Sequence, residues 1–218
     1  MNSAVASILL IGFFAVFIGF IGWLGARQSK LEAENVRRLA DSLGLEYFGK
    51  PPVMGLFYTD MRAAGEIRGR RVEVFSFTTG AGKSRLRWAA VSVALASGAP
   101  GISFSLRQQG FGTKVMELFG AREIQVGDAE FDRGWFIQAK PAEIFQTALL
   151  PEVRDKIMAL MTVPDVPARN LEFKLENGTV QYAEVGRFEG AVYQRCLRTP
   201  EIVCDLADAI EAAADVKR

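Results

Sequence analysis

Histidine is absent from the 218-residue sequence. Because histidine is the usual general base of Ser-His and Cys-His pairs and a common zinc ligand, its absence excludes these kinds of site. Chemistry based on carboxylate, lysine or tyrosine side chains stays open. No motif assigns a catalytic, cofactor-binding or metal-binding residue, so we expect a protein that is not an enzyme and carries no cofactor.

Cysteine is scarce, since only Cys196 and Cys204 occur, eight residues apart and without a metal-binding or redox motif. Two cysteines do not make the disulfide framework of a small secreted domain. Free cysteine is usually a small, buried, apolar side chain. We therefore expect both thiols in the core of a protein from a reducing compartment.

The chain also lacks an excess of charge of either sign, since 26 Lys and Arg residues face 25 Asp and Glu residues, with a formal net charge of +1. Nucleic-acid-binding domains usually have a strongly basic surface, and this composition gives no reason to expect one. Any electrostatic function must therefore come from a local cluster of charges.

The long run without charge, residues 4–26, reads AVASILLIGFFAVFIGFIGWLGA. As an α-helix it would be about 34 Å long, enough to cross the hydrocarbon core of a bilayer. Nothing basic precedes the run, and it is longer than the core of a signal peptide, which predicts an uncleaved anchor. We divide the chain into a transmembrane anchor (1–27), a juxtamembrane helix (28–44) and a soluble α+β domain (45–218).

Lys and Arg residues lie on only one side of this run. Arg27, Lys30, Arg37 and Arg38 follow it closely, whereas the residues before it include neither type. Because basic flanks stay on the cytoplasmic side, we predict a single-pass protein of the bacterial inner membrane. Its N terminus would lie outside and its C-terminal domain in the cytoplasm.

Small residues inside the run follow a 3, 4, 3, 4 spacing that places them on one stripe of a helix. The same register continues through Ser29, Ala33, Val36, Ala40 and Leu43. We predict that this helix-packing seam contacts a membrane helix of a partner or of a second copy. The alternative is that glycine is simply common in membrane helices. The seam consists of Gly12, Ala15, Gly19, Gly22 and Ala26.

Alternating apolar residues and turn signals predict several strands after the anchor. The clearest hairpin has Asn177-Gly178 as its turn, within residues 171–185, and a second is predicted around Gly69-Arg70. Hairpins with helices appended predict an α+β fold with an antiparallel sheet and packed helices. The other strands are predicted at residues 66–68, 71–77, 88–95, 102–106 and 134–139, with a strand leading into a turn at 123–132.

Helices are predicted where helix formers, caps and prolines coincide. Gly44 suits the position just after a helix. Pro141 and Pro151 each suit the first position of a helix, and Thr199 suits the N-cap of a C-terminal helix with Pro200 as its first residue. The predicted helices are residues 31–43, 113–120, 141–150, 151–161 and a last helix that begins at 200.

The segment GAGKS, residues 80–84, resembles the end of a phosphate-binding loop. Such a loop requires a glycine five residues before its last glycine and a helix after it. Phe77 occupies the position of that glycine, and residues 91–95 alternate as in a strand. We therefore predict that these glycines serve the turn of a hairpin and bind no nucleotide.

Basic residues are concentrated in this hairpin region, interrupted mainly by Glu66 and Glu73. Near a membrane each such charge contributes about 1 kcal/mol to the attraction of anionic lipid. We predict contact with anionic lipid or a partner protein, the alternative being an ordinary solvated strand surface. The residues chosen for this role are Arg68, Arg70, Arg71, Lys83, Arg85 and Arg87.

Three acidic residues alternate in the segment GDAEFDRGWF: Asp128, Glu130 and Asp132. This spacing resembles the start of an EF-hand calcium loop, but Arg133 and Ala139 occupy the positions of its glycine and its distal glutamate. We therefore expect an acidic turn that hydrogen-bonds its own backbone and holds no metal.

The motifs GDAEFDRGWFIQA, ALLPEVRDKIMAL and LEFKLENGTVQYAEV, between Gly127 and about Val185, resemble a module of uncharacterised bacterial membrane proteins of unknown function. The anchor, the segment RLADSLGLEYFG and the basic hairpin are similar to the same arrangement. The resemblance implies the architecture and leaves the activity open.

These observations lead to one predicted function with two alternatives. We predict a membrane-anchored, non-enzymatic accessory or scaffold subunit. It would dock on an integral membrane protein or complex through its anchor and its cytoplasmic domain, and it could also form a homo-oligomer. The alternatives are an enzyme at the membrane surface that uses carboxylate or lysine chemistry, and a module that binds anionic lipid. A cleft lined by Asp128, Asp132 and Arg133 would favour the enzyme.

Overall fold

The computed structural model of the chain describes residues 3–50, 52–53, 61–98, 100–108, 124–162 and 170–215. Within these ranges a long N-terminal helix is followed by an antiparallel sheet of eight strands with helices packed against it. The predicted α+β class is therefore confirmed. The helix predicted at residues 113–120 lies outside the described residues.

The first helix, α1 (Ser3–Leu43), is continuous over 41 residues. It is long and apolar enough to cross a membrane. The predicted anchor and juxtamembrane helix are thus two parts of one helix. Gly44 follows with φ 68°, and the amide of Leu45 donates to the Ala40 carbonyl at 2.8 Å, which confirms the predicted end of the helix.

The eight strands form one sheet of order β1-β2-β3-β4-β8-β7-β5-β6, in which all neighbours are antiparallel. The predicted strands at residues 88–95, 102–106 and 134–139 are confirmed to within a few residues. The strands are β1 (Glu46–Gly49), β2 (Met61–Ile67), β3 (Arg70–Thr79), β4 (Leu86–Ala94), β5 (Ser103–Gln108), β6 (Trp135–Lys140), β7 (Glu172–Glu176) and β8 (Thr179–Val185).

Two tight turns test the hairpin predictions. Asn177 and Gly178 have φ angles of 52° and 71°, which confirms the turn between β7 and β8. The turn between β2 and β3 consists of Arg68 and Gly69, with φ angles of 55° and 73°, so the prediction of Gly69-Arg70 is wrong by one residue. The register pairs Ile67 with Arg70. That register lets both arginines reach the last helix, a tertiary contact that the local pattern does not contain.

The remaining helices are α2 (Ala129–Gly134), α3 (Ala142–Ala148), α4 (Pro151–Met161) and α5 (Gly190–Asp215). Pro151 is the first residue of α4 as predicted, and Pro141 is the N-cap of α3, one position earlier than predicted. The strand predicted at residues 123–132 is wrong. Asp128 instead caps the N terminus of α2 by accepting two backbone N–H groups.

The predicted start of the C-terminal helix is also wrong, because α5 begins at Gly190 and continues through Pro200. Thr199 lies inside the helix, where its hydroxyl donates to the Arg195 carbonyl at 2.8 Å. An internal proline costs a helix about 3 kcal/mol. Burial of one face of α5 on the sheet, including Val203, Leu206 and Ile210, offsets that cost.

A row of paired, fully buried residues crosses seven strands of the sheet. These side chains share the face on which α1 and α5 pack. Burying a large apolar side chain such as Leu or Phe stabilises the folded state by about 1.5–3 kcal/mol. The row locates the hydrophobic core between the sheet and these helices. It consists of Ala63, Val74, Val91, Tyr182, Phe173, Leu106 and Ile137.

Candidate functional site

The two halves of α1 have opposite surroundings. In the N-terminal half, Ile11 and Val16 are 69% and 73% exposed. In the C-terminal half, Val36, Leu39 and Ala40 are 0% exposed and belong to the core. The N-terminal half of α1 therefore presents an exposed apolar surface that is long enough to cross a membrane.

The helix-packing seam follows this division. Positions Gly12, Gly19 and Gly22 have no described atom within 4 Å of the place where a Cβ would stand, and Ala15 is exposed. Ala26 is the first buried residue of the seam. The continuation predicted from the register, Ala33, Val36 and Ala40, packs in the core. The same stripe of α1 thus packs on the domain in the C-terminal half of the helix and is exposed in the N-terminal half.

A buried carboxylate joins α1 to the sheet. Glu32 is 0% exposed, and Arg87 of β4 donates to it from Nε at 2.9 Å. Arg187 donates to its other oxygen at 3.4 Å, and Arg87 also donates to Ser76 at 3.0 Å. A buried charge without its partner is strongly destabilising, so these ion pairs hold the sheet against α1. Glu32 shares the helix face of Ser29 and Val36, a spacing that would have indicated its burial.

Two contacts determine how the sheet lies along α1. Leu45, just after the helix, lies against Gly65 of β2, where a Cβ would come within 3.0 Å of Leu45 Cδ2. Glu32 binds Arg87, and 13 residues separate it from Leu45. At the rise of a helix this separation is about 20 Å.

In the sheet the same two contacts lie opposite Val72 and Thr78 of β3, six residues apart. Six residues of a strand span about 20 Å. The helix contacts β2 near Leu45 and β4 near Glu32, so passing from Leu45 to Glu32 along α1 leads toward the start of β4. The turn between β3 and β4 therefore lies at the end of the sheet that is nearer to Glu32 than to Leu45.

This turn is the GAGKS segment. Gly82–Ser84 form a single 3-10 turn, and the Ser84 hydroxyl donates to the Ala81 carbonyl at 2.8 Å. Gly80 has φ 76°, and a Cβ there would collide with the Ser84 carbonyl oxygen. Strand β4 follows directly, which confirms the predicted hairpin turn.

The six basic residues chosen from the sequence do not form one patch. Arg68 and Arg70 lie at the far end of β3, Arg71 pairs with Glu73, and Arg87 pairs with Glu32. Lys83 and Arg85 lie at the opposite turn and are exposed. Since β3 has ten residues, about 30 Å separates the two groups.

The arginines at the far end bind acidic residues of α5. Arg68 Nη1 donates to Asp205 Oδ1 at 2.6 Å, and Arg70 Nε donates to Asp208 Oδ1 at 2.9 Å. Arg70 also pairs with Glu211. Partial burial raises the pKa of Asp205 and of Glu211, but their hydrogen bonds with cations outweigh burial and lower both pKa values. These arginines therefore fasten the β2–β3 turn to α5.

By contrast, no ion pair within the described ranges reaches Lys83 or Arg85. Below them, Phe77 and Trp88 stack with ring centroids 5.9 Å apart, and Trp88 Nε1 donates to Thr79 Oγ1 at 2.8 Å. Leu86 is 41% exposed beside them. The near end of the hairpin thus combines two solvated cations with apolar side chains.

Two carboxylates of the acidic turn at residues 127–132 accept hydrogen bonds from the backbone of the same turn. Asp128 accepts from the amides of Glu130 and Phe131, both at 3.1 Å, and Asp132 accepts from Val126 and Gly127 at 3.0 and 3.1 Å. The predicted hydrogen bonding to its own backbone is confirmed. Among the described residues no group of three His, Cys, Asp or Glu side chains could hold a metal ion.

A buried ion pair between β8 and α5 has no counterpart in the sequence predictions. Arg195 and Glu184 are 0% and 1% exposed, and Arg195 Nε donates to Glu184 at 2.8 Å. Tyr182 donates its hydroxyl to the same carboxylate at 2.8 Å, and burial raises its pKa well above its usual value. Burial also raises the pKa of the Cys196 thiol, and that of Cys204 to about 11. Both cysteines are free and buried, as predicted.

A shallow depression of about 490 Å³ lies over β5, β6 and β7 on the sheet face away from the helices. Two of its cations are already paired, Arg107 with Glu172 and Lys174 with Glu176, each at 3.3 Å. Its charges are mixed and it is open to solvent, so it selects no ligand class.

Comparisons with known proteins add no relative: no family model, no curated protein and no solved structure matches this chain. The family resemblance drawn from the motifs between Gly127 and Val185 therefore stays a prediction. Function has to be inferred from the residues of this chain alone.

Proposed function

We propose that this chain is a membrane-anchored, non-enzymatic accessory or scaffold subunit, which docks on a larger membrane assembly through α1 and its folded domain. The division of α1 into an exposed apolar half and a buried half carries this proposal. An apolar helix that crosses a bilayer satisfies its backbone internally and exchanges water for lipid.

The continuity of α1 supports a scaffold role. Its last residues, among them Val36 and Leu39, are part of the hydrophobic core, and the Glu32 ion pairs tie it to β4. A rotation of the helix in the membrane would therefore turn the whole domain with it. Such rigid coupling gives the domain a defined orientation on the assembly that it serves.

The open part of the seam supports docking between membrane helices. Without side chains at Gly12, Gly19 and Gly22, another helix can approach the backbone closely, which is how small residues promote association in lipid. We propose that the partner is a membrane helix of another protein, with a second copy of this chain as the alternative occupant.

The basic flank of the apolar run supports an orientation with the domain in the cytoplasm. Arg27 and Lys30 follow the run within a few residues, and basic residues next to a membrane span favour the cytoplasmic side. The proposed location is the inner membrane of a bacterium, with the N terminus outside.

Membrane integration is tested by alkaline carbonate extraction of membranes and mass measurement of the mature chain. We expect the full-length chain to stay in the membrane fraction. A mature chain that lacks residues 1–26, as after cleavage of a signal sequence, or one that is released by carbonate, would overturn the proposal.

Docking is tested by replacing Gly19 and Gly22 with leucine and identifying proteins that co-purify in a mild detergent. The matched control replaces Phe17 and Ile21, on the opposite side of the helix, with leucine. We expect the seam variant to lose its partner and the control to keep it. Equal co-purification of both would exclude the seam as the docking surface.

A further inference from the structure

We infer that the tip of the β3–β4 hairpin, residues 80–85, rests on anionic phospholipid headgroups of the same bilayer that α1 crosses. Lys83 and Arg85 are the contacting residues. The inference depends on the proposed anchoring of α1, and it adds a lipid class and a second point of contact to that anchor.

The first support is the height of the tip along α1. Arg27, at the end of the apolar run, lies five residues before Glu32, about 7.5 Å along the helix axis. Leu86 lies one residue beyond Arg87, about 3 Å further along the strand, and the six residues of the tip extend beyond Leu86. Both distances start from the Glu32–Arg87 ion pair. The tip therefore extends from Arg87 in the direction in which Arg27 lies from Glu32, which on the proposed anchoring is toward the lipid headgroups.

The second support is the state of the cations. At the far end of β3, acidic residues of α5 bind Arg68 and Arg70 and leave little charge to attract an anion. At the tip, Lys83 and Arg85 are exposed and no acidic side chain in the described ranges pairs with them. Cations next to a membrane surface are attracted by anionic lipid.

The third support is the apolar surface just below the tip. Leu86 is 41% exposed and lies near the stacked rings of Phe77 and Trp88. Aromatic side chains with a polar group are enriched at the boundary between membrane and water. Arg27, whose guanidinium lies 5.6 Å from the Trp23 ring centroid, marks the end of the apolar run on α1.

The shape of the tip favours a membrane surface over a free phosphate ion. A phosphate-binding loop surrounds its ligand with backbone N–H groups at the start of a helix. Here the residues from Gly80 to Arg85 are all exposed and lead into a strand, so the cations project from a convex edge. A broad anionic surface complements such an edge.

The test uses the full chain in nanodiscs that contain either neutral phosphatidylcholine or 30 mol% phosphatidylglycerol. A fluorophore on Ala81→Cys reports on the tip, and one on Ser97→Cys reports on the far end of the sheet. The native cysteines are buried and do not react under mild conditions. Lipids with a nitroxide on the headgroup quench a fluorophore that touches the surface.

We expect strong quenching at Ala81→Cys in anionic nanodiscs, weak quenching in neutral ones, and little at Ser97→Cys in either. Quenching at the tip should fall in high salt. Lys83→Gln with Arg85→Gln should lower the equilibrium constant for tip contact about 25-fold, since each charge contributes a factor of about five.

A matched control removes two cations at the far end, Arg71→Gln with Lys156→Gln, and should leave tip quenching unchanged. Inorganic phosphate at 10 mM should not compete with the tip contact, and competition would point to a free-anion site instead. Equal quenching of the two fluorophores in anionic nanodiscs that retain the chain would overturn the inference while the anchor stands. A chain that does not remain in any nanodisc would instead overturn the proposed anchoring.

Discussion

The two turns that bound strand β3 contain similar cations in opposite environments. At the β2–β3 turn, Arg68 and Arg70 are bound by acidic residues of α5. At the β3–β4 turn, Lys83 and Arg85 are exposed, and no acidic side chain in the described ranges pairs with them. Basic residues that are close together in the sequence are thus separated in the fold by the side chains that pack against them. The far cations are paired within the fold, whereas we propose that the near ones contact a surface outside it.

The largest expected effect comes from the ion pair that joins β4, close to the β3–β4 turn, to α1. Arg87→Gln leaves the buried Glu32 carboxylate with Arg187 as its remaining partner. We expect the free energy of unfolding to fall by about 3 kcal/mol, because a buried charge that loses its partner keeps its desolvation cost.

Urea unfolding of the detergent-solubilised full chain, followed by tryptophan fluorescence, measures this loss. The control is Arg85→Gln, two residues away and exposed. If the two variants were equally stable, the Glu32 contact would contribute nothing to the attachment of α1.

A smaller effect is expected at the far end. Arg70 is 12% exposed and pairs with Asp208 and Glu211. Arg70→Gln should destabilise the domain by about 1–2 kcal/mol, because it removes charge-assisted hydrogen bonds of a partly buried group. Arg71→Gln, whose side chain is 73% exposed, should have no measurable effect in the same urea series. If Arg71→Gln destabilised the domain as much as Arg70→Gln, the exposed fraction of the side chain would not explain the difference in their contributions.

The far end should also be sensitive to acid. Asp205 and Glu211 have pKa values below their usual ones in the folded state, so their contribution is present above the unfolded pKa near 4. It is lost as the pH falls through the lower, folded pKa values. We expect a drop in the urea midpoint between pH 6 and pH 3, and a smaller drop for Arg68→Gln with Arg70→Gln. An equal drop in both proteins would place the acid-sensitive groups elsewhere.

The smallest effect on stability is expected at the near turn. Lys83→Gln with Arg85→Gln should leave the urea midpoint unchanged within error, because no described side chain pairs with either residue. The same variant is expected to weaken contact with anionic nanodiscs. A destabilisation comparable to that of Arg70→Gln would show that these cations serve the fold and not a surface outside it.

Much of the architecture follows from local patterns. The hairpin around Asn177-Gly178 and the end of α1 before Gly44 depend on backbone conformations that few residues other than glycine and asparagine adopt readily. The uncharged run of residues 4–26 needs no tertiary information either, because its length alone matches a bilayer. The GAGKS turn follows from the apolar alternation of the residues after it.

Other features depended on partners distant in the sequence. Thr199 and Pro200 have the composition of a helix start, yet they lie inside α5 because the preceding residues pack on the sheet. The β2–β3 turn is displaced by one residue in a register that brings Arg68 and Arg70 to α5, 137 and 138 residues away along the chain. Short-range rules cannot include an energy that arises over such separations.

The amino-acid order alone was enough for the kind of molecule this is: an apolar helix with a basic flank, followed by hairpins and amphipathic helices. Those properties depend on residues within a few positions of one another. The tertiary structure decided which charged side chains form ion pairs and which stay exposed without a partner among the described residues. Glu32 meets Arg87 across 55 residues, whereas Lys83 and Arg85 meet no acidic partner in the described structure. An ion pair requires two groups within about 4 Å, and that distance is a property of packing.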